Sequence, residues 1–280
     1  MVLFDPKGPI GEAERFVILV AIALMLIVVI PVIVMAFLFS RKYRASNKKA
    51  VYMPKWHYSA KIDLVIWLVP IVIVTALGIL SWTRTHQLNP FKPIDPDIKP
   101  VNVEVVSLDW KWLFIYPDYN VATVNQLGFP ARVPVSFRIT SDSVMTSFFI
   151  PQLGSQIYAM AGRQTRLHLM ADKPGVYRGH NQQFSGRGYA DMHFKAVSMT
   201  QVQFDDWIGR IKQSPDTLDL NRFEEVARPT AGYPVTYFSS VSSDLFNQVI
   251  SKYRPMDKNS GAISRETDSA TMNTSILKGR

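Results

Sequence analysis

Two apolar runs near the start of the chain leave little freedom in how it can fold. Phe16 to Phe39, FVILVAIALMLIVVIPVIVMAFLF, is 24 residues without a charge, and Leu64 to Trp82, LVIWLVPIVIVTALGILSW, is another 19. At 1.5 Å per residue the longer run covers about 36 Å as a helix, enough to cross a hydrocarbon core of roughly 30 Å. A core helix of a soluble protein could be equally apolar, but two in tandem around a basic loop favour a transmembrane hairpin. In that loop Arg41, Lys42, Arg44, Lys48, Lys49, Lys55 and Lys61 stand against the single acid Asp63. Such an excess of Lys and Arg marks the cytoplasmic side, so both termini are expected outside the cytoplasm. A nucleic-acid patch is the rival explanation of the charge. The flanking spans oppose it, and no helix-turn-helix, zinc-finger or RNA-binding signature supports it. Pro31 interrupts the first span, which membrane helices tolerate where a neighbouring helix covers the break.

The remaining chain divides by composition. Residues 1–15 form an external N-terminal segment, 16–39 and 64–82 the two spans, and 40–63 the cytoplasmic loop. Residues 83–100 carry Pro90, Pro93, Pro96 and Pro100, as an extended linker does. From Val101 come short alternating or apolar runs, VNVEVV, KWLFIY, VPVSFRIT, TSFFIP, QTRLHLM and HFKAVSM, separated by turn residues. That pattern predicts an antiparallel β-sandwich over 101–200. Beyond Thr200 the period lengthens: Phe204, Trp207, Ile208 and Ile211, then Leu218, Phe223 and Val226, then Asp244 to Tyr253, read as three short helices in an aromatic-rich extension over 201–255. Residues 256–280, rich in Ser, Thr, Asn and Lys, read as a disordered tail.

The chain contains no cysteine, which excludes disulfides and thiolate chemistry. Two stretches nevertheless have a metal-site outline: TSFFIPQLG from Thr146, and the glycine-punctuated loop Tyr177 to Phe194, YRGHNQQFSGRGYADMHF. Together they resemble the copper-binding region of subunit II of the haem-copper oxidases, where the spacing is H-S-F-x-x-P upstream and G-x-C-x-E-x-C-G-x-x-H-x-x-M downstream. On that resemblance Thr146 stands at the first His, Asn181 and Ser185 at the two Cys, Gln183 at the Glu and Tyr189 at the second His. Of the side-chain ligands only Met192 remains. A copper pair needs soft bridging thiolates, so the pattern is similar to the copper-less branch, subunit II of bo-type ubiquinol oxidases.

The resemblance implies a membrane-anchored all-β protein: a two-helix hairpin, a cupredoxin-like Greek-key sandwich and a short helical C-terminal extension. That extension would cover the face left without copper or grip a neighbouring subunit. The resemblance also implies a proton-pumping quinol:oxygen oxidoreductase in which this chain binds no cofactor. Haem and copper would sit in partner subunit I, beside smaller subunits III and IV, membrane lipid and ubiquinol, in a bacterial inner membrane with both termini and the β-domain periplasmic. Bacterial members are usually made with a cleaved lipoprotein signal, after which a Cys becomes the lipid-bearing first residue; MVLFDPKGPIGEAER departs from that. From its position alone Asp63 reads as a solvated interfacial acid; KIDLVIWLVP, however, is similar to the family's x-x-E-x-x-x-W-x-x-P, whose Glu marks a proton-uptake mouth and is one methylene longer than Asp. DWKWLFIY resembles the aromatic segment beside the metal in copper-bearing relatives. Trp110, Trp112 and Tyr116 share one strand face by spacing, and are expected to dock onto subunit I. His168, His180 and His193 could form an opportunistic metal site, though scattered histidines are usually not ligands. Two other functions stay open: a copper-dependent cytochrome c oxidase subunit, and a free-standing membrane-anchored sandwich serving assembly.

Overall fold

Both apolar runs are helical, and both helices outrun them. The computed structural model describes residues 4–49, 51, 55 and 57–253. Helix α1 spans Pro9–Lys42 and α2 spans Ala60–Gln87. Hydropathy marks only the part inside the membrane, whereas backbone hydrogen bonding continues into polar sequence, so the expected linker starts at Leu88 rather than residue 83. Pro9 suits the first helical turn because its missing N–H has no partner to lose there. Glu12 begins α1 and Arg41 and Lys42 end it, Asp63 begins α2 and Arg84 and His86 end it, each complementing the helix dipole. In α1 only Gly11 is buried and in α2 no residue is. Both are long and apolar enough to cross a membrane. The tail expected over 256–280 lies outside the described residues.

The start of α1 is bonded to the β-domain through backbone groups. Lys7 N donates to Gln152 O at 2.7 Å, Gly11 N to Leu153 O at 3.1 Å, and Asp172 N to Lys7 O at 2.9 Å. A Cβ at Gly8 would lie 2.1 Å from Met170 O, so only glycine permits this approach. The first helix is thereby fixed to the domain at its N-terminal end.

The strands are β1 (Val101–Leu108), β2 (Lys111–Tyr116), β3 (Val121–Val124), β4 (Gln126–Pro130), β5 (Val135–Ser141), β6 (Thr146–Ile150), β7 (Gly154–Ala159), β8 (Thr165–Leu169), β9 (Gly175–Asn181), β10 (His193–Met199) and β11 (Thr236–Phe238). They form two sheets, β11-β3-β2-β1-β5-β8 and β4-β10-β9-β6-β7. The sandwich is not purely antiparallel as expected: β1 pairs with β5 and β4 with β10 in parallel. Alternation within a run reports its buried face and carries no information about neighbour direction. The first five residues of the presumed loop, Tyr177 to Asn181, belong to β9, with Tyr177, Gly179 and Asn181 turned inward.

Strand β2 is buried along its whole length. Trp112, Phe114 and Tyr116 enter the core between the sheets, with Phe148, Phe194 and Phe137. Leu113 and Ile115 face the opposite way, into a second core built with the C-terminal extension. That extension holds α3 (Gln201–Lys212), α4 (Leu220–Ala227) and α5 (Leu245–Lys252). Phe223, Val226, Leu245, Phe246, Val249 and Ile250 close over the outer face of the first sheet, and each such side chain stabilises the fold by about 1.5–3 kcal/mol. Thr200 starts α3 with a capping box to Gln203. The packing corrects the expected docking stripe. Trp112 and Tyr116 are fully buried, and Tyr116 Oη both donates to Gly128 O and accepts from Gly128 N at 2.9 Å. Trp110 lies outside the strand, in the β1–β2 turn at φ 64°. No outward face unites the three.

Candidate functional site

The site outlined by the copper motif lies where β9 ends and β10 begins. Cross-strand pairing sets His193 opposite His180, and Asn181 N donates to Met192 O at 3.1 Å. Between them the chain loops out and returns through one 3-10 turn, Tyr189–Asp191. Asn181 is buried at the centre. Its Oδ1 accepts from Ser147 N and Gln183 N, both at 2.9 Å. Its Nδ2 donates to Gln183 O at 2.6 Å, and approaches Ser185 Oγ at 3.2 Å and Met192 Sδ at 3.4 Å. Ser185 Oγ lies 3.8 Å from the same sulfur. One carboxamide thus ties the loop to itself and to β6.

The surrounding contacts complete the clasp. Gln182 N donates to Ser147 Oγ at 2.8 Å. Trp110 Nε1 donates to Ser185 O at 2.8 Å, and its ring lies so close to Gly188 that a Cβ there would fall 2.3 Å from it. The β1–β2 turn therefore supports the loop from below, which explains the left-handed backbone at Trp110. Thr146 points elsewhere, donating to Ser107 Oγ on the facing sheet at 2.6 Å. Tyr189 packs against Phe184 with ring centroids 5.8 Å apart. Of the six positions carried over, Asn181, Gln183, Ser185 and Met192 meet in one hydrogen-bonded cluster, while Thr146 and Tyr189 make other contacts.

This donor set does not fit a copper pair. Amide, hydroxyl and one thioether supply no thiolate to bridge two ions, and the carboxamide at the first Cys position is engaged at both its oxygen and its nitrogen. Beside the cluster a cavity of about 410 Å³ is lined by Gln152, Arg178, His180, Tyr189 and His193, among others. Burial, with Arg178 and His193 adding to it, holds the His180 imidazole below its ordinary value. Among the described residues none of the C-terminal extension lines this cavity; α4 and α5 cover the outer face of the first sheet, and α3 packs Phe204, Trp207, Ile208 and Ile211 into the core between the sheets. His168 lies apart, its Nδ1 3.0 Å from Pro90 O in the linker. The three histidines therefore do not converge.

Lys111 escaped sequence reasoning. It is fully buried, donating to Val226 O at 2.9 Å and Arg228 O at 2.7 Å, with Tyr233 ring 5.0 Å away. Burial lowers its ammonium pKa, partly opposed by Asp109. It satisfies carbonyls at the end of α4. The available signal was a lysine inside the apolar run KWLFIY. Asp63 is half-buried in the first turn of α2, its N–H donating to Ser59 O at 2.9 Å.

Comparison with known proteins agrees with this geometry. The family described as cytochrome c oxidase subunit II, periplasmic domain, matches residues 119–199, and the COX aromatic-rich motif matches 212–256. Cytochrome bo(3) ubiquinol oxidase subunit 2 of Pseudomonas aeruginosa is 53% identical over 90% of this chain and 76% of its own length. Ubiquinol oxidase subunit 2 of Acetobacter aceti is 46% identical over 96% of this chain and 89% of its own. A solved periplasmic domain of subunit II of cytochrome oxidase from Bradyrhizobium japonicum is 20% identical, covering 39% of this chain and 91% of that domain at a TM-score of 0.38. With two apolar helices, a cupredoxin-like sandwich and a short helical extension, the chain belongs to the haem-copper oxidase subunit II family, in its ubiquinol oxidase subunit 2 branch.

Proposed function

We propose that this chain is subunit II of a bo-type quinol:oxygen oxidoreductase and that it carries no redox centre of its own. The observation that supports this most is Asn181: at a position where copper-bearing relatives place a thiolate, a carboxamide links Ser147, Gln183, Ser185 and Met192. Hydrogen bonds there serve the structural role of metal bonds and leave no site for an electron. Haem and copper belong to partner subunit I, with smaller subunits III and IV completing the complex and ubiquinol as its substrate. The seven basic residues between the spans support a cytoplasmic loop, with both termini and the sandwich periplasmic in a bacterial inner membrane. Affinity purification of the tagged chain tests the reading. Haem should accompany it, and metal analysis should assign no copper to this subunit; a preparation that never brings haem would favour a free-standing assembly protein.

Asp63 is proposed to stand at a proton-uptake mouth of the complex. Its support is position: a half-buried carboxylate beside Lys61 where the basic loop meets the second span. Replacing it by Asn removes the titrating proton and keeps the shape. Asp63→Asn should lower oxygen consumption and proton uptake several-fold in the assembled enzyme, with haem content unchanged. Equal rates in variant and parent would leave Asp63 as a helix-terminal acid only.

A further inference from the structure

The two sheets differ in what lies on their outer faces. Helices α4 and α5 cover that of the first, and α3 packs between the sheets. Strands β9 and β10 of the second sheet keep exposed side chains on their outer side. Their pairing sets His193 opposite His180, Lys195 opposite Arg178 and Val197 opposite Val176. Because Tyr177, Gly179 and Asn181 turn inward, as do Phe194 and Ala196, these three rungs all point outward. Arg178, His193 and Lys195 are exposed, and Val176 is 66% exposed.

Two cations set directly across a strand pair repel each other. Neither Arg178 nor Lys195 makes an ion pair among the described residues. Asp191, two residues before His193, is exposed and does not line the cavity beside the ladder. That cavity, of about 410 Å³, is bounded by Arg178, His180 and His193 together with Gln152 after β6 and Tyr189 of the β9–β10 loop. An imidazole has an N–H to offer a carboxylate oxygen whether or not it is charged. The face thus presents positive charge and N–H donors that call for an anion.

Spacing decides which kind of anion fits. Rungs on one face of a strand pair lie about 7 Å apart, and alternate side chains of an extended polypeptide repeat at that interval. A free ion would use one rung and gain nothing from the apolar rung of Val176 and Val197. A chain with acids at alternate positions and an apolar residue next in line meets all three. Since β9 and β10 lie between β4 and β6 in their sheet, recognition there falls to side chains rather than to a free strand edge.

We infer that the outer face of β9 and β10 docks an acidic segment of a partner polypeptide. One carboxylate lies on the rung of Arg178 and Lys195, a second enters the cavity at His180 and His193, and an apolar side chain rests on Val176. Placing that partner within the oxidase complex rests on the function proposed above; the chemistry of the face does not.

A zero-length carbodiimide, which condenses a lysine amine with a carboxylate in contact, tests this on the assembled complex. Mass spectrometry of the digest should find Lys195 joined to an Asp or Glu of a second polypeptide in the preparation. The yield should fall at least about tenfold in Arg178→Glu, where the face repels the acid. Lys195→Glu, combined with reversal of the joined acid to Lys, should restore a link with amine and carboxylate exchanged, which no purely structural role of Lys195 would give. Absence of any link at Lys195, links confined to acids of this chain, or an equal yield in Arg178→Glu overturns the proposal. Haem is measured separately. Haem without the link rejects the docking face and leaves the subunit assignment standing, whereas the link without haem keeps the docking face and rejects its place in the oxidase.

Discussion

At the scale of single residues, Asn181 carries most of the hydrogen bonds that hold the β9–β10 loop. Truncation to Ala removes the acceptor for Ser147 N and Gln183 N and the donor to Gln183 O. Unpaired buried polar groups cost about 1–3 kcal/mol each. Asn181→Ala should therefore destabilise the external domain by about 3 kcal/mol in denaturant unfolding of the complex, and the loop from Gln182 to Tyr189 should lose hydrogen-exchange protection. A change below about 0.5 kcal/mol, the range of ordinary surface substitutions, would show that the loop is held by something else. His180 gives a pH dependence. Its folded pKa lies below the ordinary 6.5, so below that pH the unfolded chain binds a proton the folded chain resists, and stability falls. Thermal unfolding should show a loss on acidification from neutrality that His180→Gln reduces. The spacing of Asn181, Ser185 and Met192 made the site legible in the sequence. The bonds that hold its loop were not legible, because they depend on β6 and on Trp110, far away in the chain.

At the scale of elements, the C-terminal extension decides what the sandwich exposes. Period-two spacing grouped Trp112 with Tyr116 correctly, since both enter one core. It could not show that the opposite face of β2 is covered by helices more than 100 residues later in sequence. The strands seen in advance were those with strong alternation or β-branched runs. Strands β3, β4, β7, β9 and β11 are short, or carry Gly, Gln and Thr at inward positions, and their place comes from tertiary pairing. Helix α4 was legible through Phe223 and Val226, but its anchoring to Lys111 was not. Lys111→Met should leave Val226 O and Arg228 O without their donor, at a cost of about 2 kcal/mol. Limited proteolysis should then cut within residues 213–253 sooner than in the parent. Unchanged cleavage would mean that the apolar contacts of the second core hold the extension unaided.

At the scale of the whole molecule, two joints connect membrane and domain. The N-terminal end of α1 is bonded directly to the β6–β7 turn and to the segment after β8, whereas α2 leads into a proline-bearing linker touched by His168. A sandwich held this way is tied to the start of the first helix by backbone hydrogen bonds. Two membrane helices, a β-domain and a helical extension were legible from hydropathy and period. The mixed sheets and the bonding of the start of α1 to the domain were not, because they arise from contacts between distant backbone segments with no side-chain signature. On the proposed function, electrons reach oxygen through the complex without passing through copper on this chain. Oxygen uptake by the purified complex, compared between ubiquinol and reduced cytochrome c as donors, tests it most directly. The account predicts rapid uptake with ubiquinol and only background with cytochrome c; turnover with cytochrome c that depends on copper bound at Asn181, Ser185 and Met192 would contradict it.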